Sequence, residues 1–155
     1  MELTERGLSF FTTFEGLTGV MPNDYVESVG MVVFTVDQEK LGKAIGKNGV
    51  NINKLKLKFK KRILVVGDSA DPEAFVRSYF NNINIMSLEV RDVMSEKALM
   101  ITLDEKDRGI AIGRDGERIK SLKELLKKKF NMTAHIRTRR VIDIGGGVME
   151  SAPSG

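Results

Sequence analysis

The chain has 155 residues, no cysteine and one histidine, which excludes disulfides and thiol chemistry, leaves zinc clusters without their usual ligands and makes His135 the one base a Ser-His-Asp triad could use. Apolar residues make up 41% and charged residues 30%, a globular balance, and no apolar run approaches the ~18 residues of a membrane span. The net charge of +4 is segregated: residues 40–62 hold nine Lys/Arg and no Asp/Glu and residues 109–140 hold ten against three, whereas residues 1–30 hold one base against five acids and residues 67–107 four against nine. Such blocks suit a polyanion such as nucleic acid. The first residues, MELTERGLSFF, are acidic where a secretory signal would be basic, so a cytoplasmic protein is expected.

In chain order, residues 3–16 read as a helix and 25–29 as a strand. MVVFTV (31–36) is a short apolar, β-prone run and reads as a buried strand. Asp37 then suits a helix N-cap. A short helix runs to Ile45, the loop Gly46-Lys47-Asn48-Gly49 breaks it, and a longer helix follows with Ile52, Leu55 and Phe59 inward and Lys54, Lys58 and Lys61 off that face. ILVV (63–66) closes the unit as a strand, and only GDSAD (67–71) precedes the next helix, 71–82, with Asp71 as cap and Pro72 in its first turn. Strands follow at 83–90 and 98–103, then Asp104 as a cap, a short helix to Ile112 and the loop Gly113-Arg114-Asp115-Gly116. The next helix turns Ile119, Leu122, Leu125, Leu126 and Phe130 inward, and a strand spans 132–137. His135 alternates with Thr133 and Arg137 there, an ordinary strand position rather than a catalytic one. VIDI (141–144) could extend that strand, and residues 145–155 have no apolar period and read as a disordered tail.

The two halves repeat. When the chain is laid over itself with Ser28 on Ser95, the match runs without a gap to Lys61 on Lys128, and 13 of the 34 pairs are identical, among them Gly46/Gly113, Gly49/Gly116, Ile52/Ile119, Lys60/Lys127 and Lys61/Lys128. Two units are too few for a solenoid, so two copies of a small α+β domain are expected, 1–67 and 68–144. Neither loop is a P-loop: the spacing differs from G-x-x-x-x-G-K-[ST], and Asn48 or Asp115 stands where the hydroxyl would be. Neither is a dinucleotide fingerprint, because Gly-x-Gly is absent and the glycines lie between helices. A plain turn between helices would explain one copy, not the same two glycines twice inside the base-rich blocks. Glycines without side chains let a polyanion approach the main chain, the following helix offers its N-terminal amides, and Lys47 or Arg114 neutralises a phosphate.

The run I-G-x-x-G-x-x-I, after strand and helix, resembles the K-homology (KH) family, whose Gly-x-x-Gly loop clamps about four nucleotides of a single strand. With the extra helix and strand in front, each copy resembles the type II arrangement: helix, strand, strand, helix, Gly-x-x-Gly, helix, strand, with a three-stranded sheet packed by helices. A closely spaced pair resembles the RNA-binding part of NusA-like transcription factors, and a chain of this length resembles their archaeal form. The polymerase-binding domain and S1 barrel of bacterial members have no room in this length. The resemblance implies RNA contacts by Gly46, Lys47, Asn48 and Gly49 with Lys43, Asn51 and Lys54, and by Gly113, Arg114, Asp115 and Gly116 with Arg118 and Lys120. It implies a non-enzymatic protein on nascent transcripts, in termination or antitermination, with a ribosome-associated role as the alternative. Single-stranded RNA is the expected partner, and RNA polymerase enters as a partner through the resemblance alone. A monomer is expected, with no membrane, cofactor, metal or catalytic residue. Asp115 and Glu117 would repel phosphate, partly offset by Arg118, so the first loop is expected to bind phosphate more strongly, by roughly 1 kcal/mol. Tyr25, Tyr79 and the phenylalanines lie mostly in apolar runs, so stacking of bases on aromatic rings is not expected to lead.

Overall fold

The structure is a computed structural model; it describes residues 4–144 and 147–150, with side chains as far as Val141. The chain divides into two compact units, with the boundary between Asp71 and Pro72.

In the first unit, α1 (Glu5–Thr18) starts behind Thr4, whose hydroxyl accepts from the Gly7 amide at 3.0 Å, and stops at Gly19 in the left-handed conformation, φ 75°. β1 (Asp24–Glu27) pairs antiparallel with β2 (Met31–Val36), and β2 pairs parallel with β3 (Arg62–Gly67), in the order β1-β2-β3. A parallel pair cannot be joined by a tight turn and needs a crossover. Here α2 (Leu41–Ile45) and α3 (Val50–Phe59) make it, and the first glycine loop lies between them. β2 is buried along its whole length, as its unbroken apolar run predicts. Val32, Phe34 and Val36 pack with Phe10 and Phe14 of α1, Ala44 of α2, Leu55 of α3 and Ile63 of β3. The rings cluster inside this core: Phe14 lies 4.4 Å from Phe34 and Phe59 lies 4.9 Å from Phe10. Glu27 ties the elements together at one end, accepting from Arg6 of α1 and, at 2.7 Å, from Lys61 after α3. Hydrogen bonds from Arg6, then from Lys61, hold its carboxyl down at about 2 against the opposing effect of burial.

In the second unit, α4 (Pro72–Tyr79) precedes β4 (Ile85–Val93), β5 (Glu96–Asp104), α5 (Arg108–Ile112), α6 (Glu117–Phe130) and β6 (Met132–Arg139). The sheet order β4-β5-β6, antiparallel then parallel, repeats the first. Leu99, Ile101 and Leu103 alternate along β5 as Val32, Phe34 and Val36 do along β2, and all six are buried. Phe75, Val76, Leu122, Leu125, Leu126 and Ala134 are buried in the same unit. Both units are thus α+β, and among the described residues each has one three-stranded sheet and three α-helices. No helix among the described residues is long and apolar enough to cross a membrane.

Several expectations change. The first unit runs to Asp71 rather than Gly67, because the Asp68 amide donates to Val36 O and its carboxylate accepts from Asn23 at 2.9 Å. Asp104 caps as expected, accepting from the Lys106 amide at 3.2 Å, but the Asp37 side chain makes no cap and instead accepts from Asn23 at 2.9 Å. β4 and β5 run longer than expected, meeting at a two-residue turn, Met94-Ser95, with φ 49° and 70°. Neither residue favours positive φ, so the turn carries no sequence signature. The ungapped repeat fails at its end. Met31 of β2 pairs with Arg62, but its counterpart Ala98 pairs with Thr133 and not with Lys129, the counterpart of Arg62. The four extra residues make α6 14 residues long against 10 for α3, about one turn. Lys60, at the left-handed end of α3, therefore corresponds to Asn131 and not to Lys127. The disordered tail is corrected at residues 147–150, which form β8 (Gly147–Glu150) paired with β7 (Val141–Ile144); residues 145, 146 and 151–155 lie outside the described residues.

Candidate nucleic-acid interface

The two glycine loops have the same backbone. Each short helix closes with a glycine amide, Gly46 donating to Gly42 O at 2.9 Å and Gly113 to Gly109 O at 3.0 Å. Those glycines then take φ/ψ of 79°/163° and 78°/174°, a region open in practice to glycine alone. Asn48 (56°/28°) and Asp115 (55°/23°) are left-handed, as are Gly49 and Gly116, both at φ 71°. Asn and Asp are the non-glycine residues that tolerate this conformation best. Asp115 therefore has a backbone reason to be there, separate from its charge.

The glycines of each pair differ in what they permit. A Cβ on Gly46 would come within 2.9 Å of Val50 Cγ1 and 3.0 Å of Asn51 Cγ, and one on Gly113 within 2.7 Å of Arg118 Cβ. These positions let the loop close against the following helix. A Cβ on Gly49 would meet nothing within 4 Å and one on Gly116 only the end of Lys120 at 3.7 Å. The second glycine thus leaves the outside of the loop bare, beside a helix whose first amides have no acceptor within the helix.

Around the loops, Lys47, Arg114, Asp115, Lys54 and Lys120 are exposed, and so is Lys43, whose chain end lies against Gly19 at the carbonyl end of α1. Glu117 is 8% exposed, so Asp115 is the carboxylate presented by the second loop itself. Asn51 and Arg118, which the resemblance gives as RNA contacts, each hydrogen-bond to the chain itself beside the loop. Asn51 Nδ2 donates to Lys43 O at 3.0 Å, and Arg118 Nη1 donates to Ile110 O at 3.3 Å. Both the donors and the acceptors are corresponding positions of the repeat, so one position in each unit staples the loop to the short helix before it. Arg118 is held further: Nη2 donates to Tyr79 O at 3.1 Å and to Asn82 Oδ1 at 2.9 Å, and its guanidinium lies 5.1 Å from the Phe80 ring centre. The Tyr79 hydroxyl donates to Arg118 O at 2.6 Å. Burial lowers the Arg118 pKa and raises that of Tyr79, so the tyrosine stays a protonated donor. Sequence reasoning missed Tyr79 and Asn82 as anchors of the second loop, since nothing in their spacing points to a partner so far along the chain.

Residues 71–143 match the family model for the KH domain. Along most of its length the chain is similar to archaeal proteins named as probable transcription termination protein NusA. Identity is 26% with that of Thermoplasma acidophilum (82% of this chain, 88% of the relative) and 27% with that of Halococcus morrhuae (84% and 93%). The crystal structure of APE1850 superposes with a TM-score of 0.71 at 30% identity, covering 86% of this chain and all of that one. The match over residues 71–143 falls on the second unit, which holds a Gly-x-x-Gly loop between its helices, so that unit carries a KH domain.

Proposed function

We propose that the chain is a non-enzymatic protein that binds single-stranded RNA through two tandem type II KH units, one loop in each, and acts on nascent transcripts in termination or antitermination. The observation that carries this reading is the double occurrence of one loop backbone, Gly-only torsions included, each time between the helices of a βααβ crossover and inside a base-rich block. The KH match covers the second unit, and the first repeats its strand order and loop. The names of the archaeal relatives favour transcription over another use of RNA. In this reading Gly46, Lys47, Asn48, Gly49, Lys43 and Lys54 face RNA in the first unit, and Gly113, Arg114, Asp115, Gly116 and Lys120 do so in the second. Asn51 and Arg118 position the loops. The protein is cytoplasmic and monomeric, and RNA polymerase is its macromolecular neighbour.

Titration of single-stranded RNA against the full chain at several salt concentrations tests the clamp. With roughly five phosphate contacts, log affinity falls against log salt with a slope of about −3.5, at ~0.7 per contact. A slope near zero overturns the reading. Co-sedimentation separates the settings: transcription predicts passage with RNA polymerase, and passage with a small ribosomal particle would replace it by a ribosomal role.

A further inference from the structure

α3 turns Leu55 into the core with Ile52 and Phe59 packed beside it, which leaves Val50 and Leu57 on the opposite side of the helix. Two turns apart, these two stand on one line, about 10 Å apart along the axis. Leu57 is 79% and Val50 45% exposed. Lys54, Lys56 and Lys58 next to them are exposed, and none of the three holds an ion pair among the described residues. No acid occurs from residue 40 to 62. Single exposed aliphatic residues are ordinary on a surface. Two on one helical line, with the polar Asn53 between them and the unpaired Lys54, Lys56 and Lys58 beside them, are a patterned face. The second unit has the opposite chemistry at the corresponding positions, Glu117 and Glu124. Helix formation does not demand aliphatic residues there, since α6 is longer and has none at these two positions.

We propose that this line of α3 docks an acidic amphipathic helix of a protein partner. Apolar side chains two turns apart on the partner would cover Val50 and Leu57, and carboxylates flanking them would meet Lys56 and Lys58 on either side of Leu57. Charge complementarity fixes the sign of the partner, and the aliphatic pair favours a protein over RNA. Leucine and valine offer no plane on which a base can stack, and Leu57 lies two turns beyond the loop.

The test uses the full chain and a fluorescein-labelled helical peptide of about 18 residues, with two leucines spaced two turns apart, glutamates beside them and alanines elsewhere. Anisotropy should show saturable binding, and replacing the peptide leucines by serine should weaken it ~10-fold or more, the loss of buried leucine surface. Leu57→Glu should weaken the original peptide by at least about 10-fold, and Leu57→Ala by several-fold, with the melting temperature of the chain unchanged because the side chain is in water. Affinity for single-stranded RNA should be the same in wild type and Leu57→Ala. Any of four results overturns the proposal. One is no binding of the peptide. Equal binding of the serine peptide would leave only charge attraction. A loss of RNA affinity in Leu57→Ala would make the line part of the RNA face. A concentration-dependent dimer by sedimentation, abolished by Leu57→Glu, would make the occupant a second copy of this chain.

Discussion

The loops at 46–49 and 113–116 have one shape and two fastenings. Their leading glycines have closely similar torsions, φ/ψ of 79°/163° and 78°/174°. The first is stapled by a single amide hydrogen bond from Asn51. The second is held by Arg118, which donates to three acceptors on Ile110, Tyr79 and Asn82 and lies against two aromatic rings. A backbone shape can therefore persist while the side chains that enforce it change in number, charge and reach. Arg118 spends its donors on carbonyls and an amide oxygen, whereas Lys47, Lys54 and Arg114 stay exposed.

The strongest way to break this comparison is to forbid the shared torsions. Gly46→Ala and Gly113→Ala should each destabilise their unit by roughly 2–3 kcal/mol, the strain of a Gly-only conformation. Gly113→Ala should be the worse, since its Cβ would meet the Arg118 Cβ and backbone rather than movable side-chain ends. Gly49→Ala, with open space around it, should cost only about 1 kcal/mol for its left-handed φ. Urea melts resolve this order, and equal costs at residues 46 and 49 would mean that the loop tolerates another backbone path.

Removing the fasteners comes next. Arg118→Ala should cost about 2–3 kcal/mol, for lost hydrogen bonds from a charged donor and a lost cation–ring contact, and Asn51→Ala about 1 kcal/mol. Amide hydrogen exchange should quicken at Ile110–Gly113 in the first variant and at Lys43–Gly46 in the second. If Arg118→Ala instead leaves exchange and stability unchanged but weakens RNA binding, Arg118 is a ligand after all.

Acid should separate the units as well. Glu27 has its carboxyl held at about 2, below the ordinary value of 4.5, so its contribution is complete above pH ~4.5 and is lost as pH falls from there through about 2. Glu27→Gln should remove an effect of order 1 kcal/mol at neutral pH and flatten that part of the acid limb. Circular dichroism melts between pH 2 and 7 follow it, and a steep limb retained in the variant would assign acid sensitivity to other carboxylates.

Loop charge follows. Lys47→Glu should weaken single-stranded RNA binding more than Arg114→Glu, by about 1 kcal/mol. Asp115→Asn keeps the left-handed residue type while removing the charge, and should strengthen binding by roughly 0.8 kcal/mol. If Arg114→Glu costs as much as Lys47→Glu and Asp115→Asn gains nothing, the carboxylate does not obstruct the second loop.

The smallest effect lies at the ends of the long helices. Lys60 and Asn131 both sit at left-handed φ, 56° and 54°, and asparagine suits it better. Lys60→Gly should stabilise by about 0.5–1 kcal/mol and Asn131→Gly by less. Equal gains in thermal melts would remove the distinction.

The sequence by itself determined the order of helices and strands from α1 to β6, because each signal was local. MVVFTV is a short apolar run rich in β-branched residues, Ile52, Leu55 and Phe59 share one helical face, and Gly-x-x-Gly between two helical runs marks a break. It also located both loops, since spacing and residue type survive the shift from one copy to the other. Tertiary structure alone decided how the loops are held and how the repeat ends. Arg118 reaches Tyr79 and Asn82 across 39 and 36 residues of chain, and no period in a sequence encodes a contact made by folding an arginine back in this way. The extra turn of α6 was hidden because lysines recur so often there that Lys60 and Lys61 found identical partners at 127 and 128 without a gap. Only strand register, which counts residues by hydrogen bonds rather than by identity, placed Arg62 opposite Met31 and Thr133 opposite Ala98.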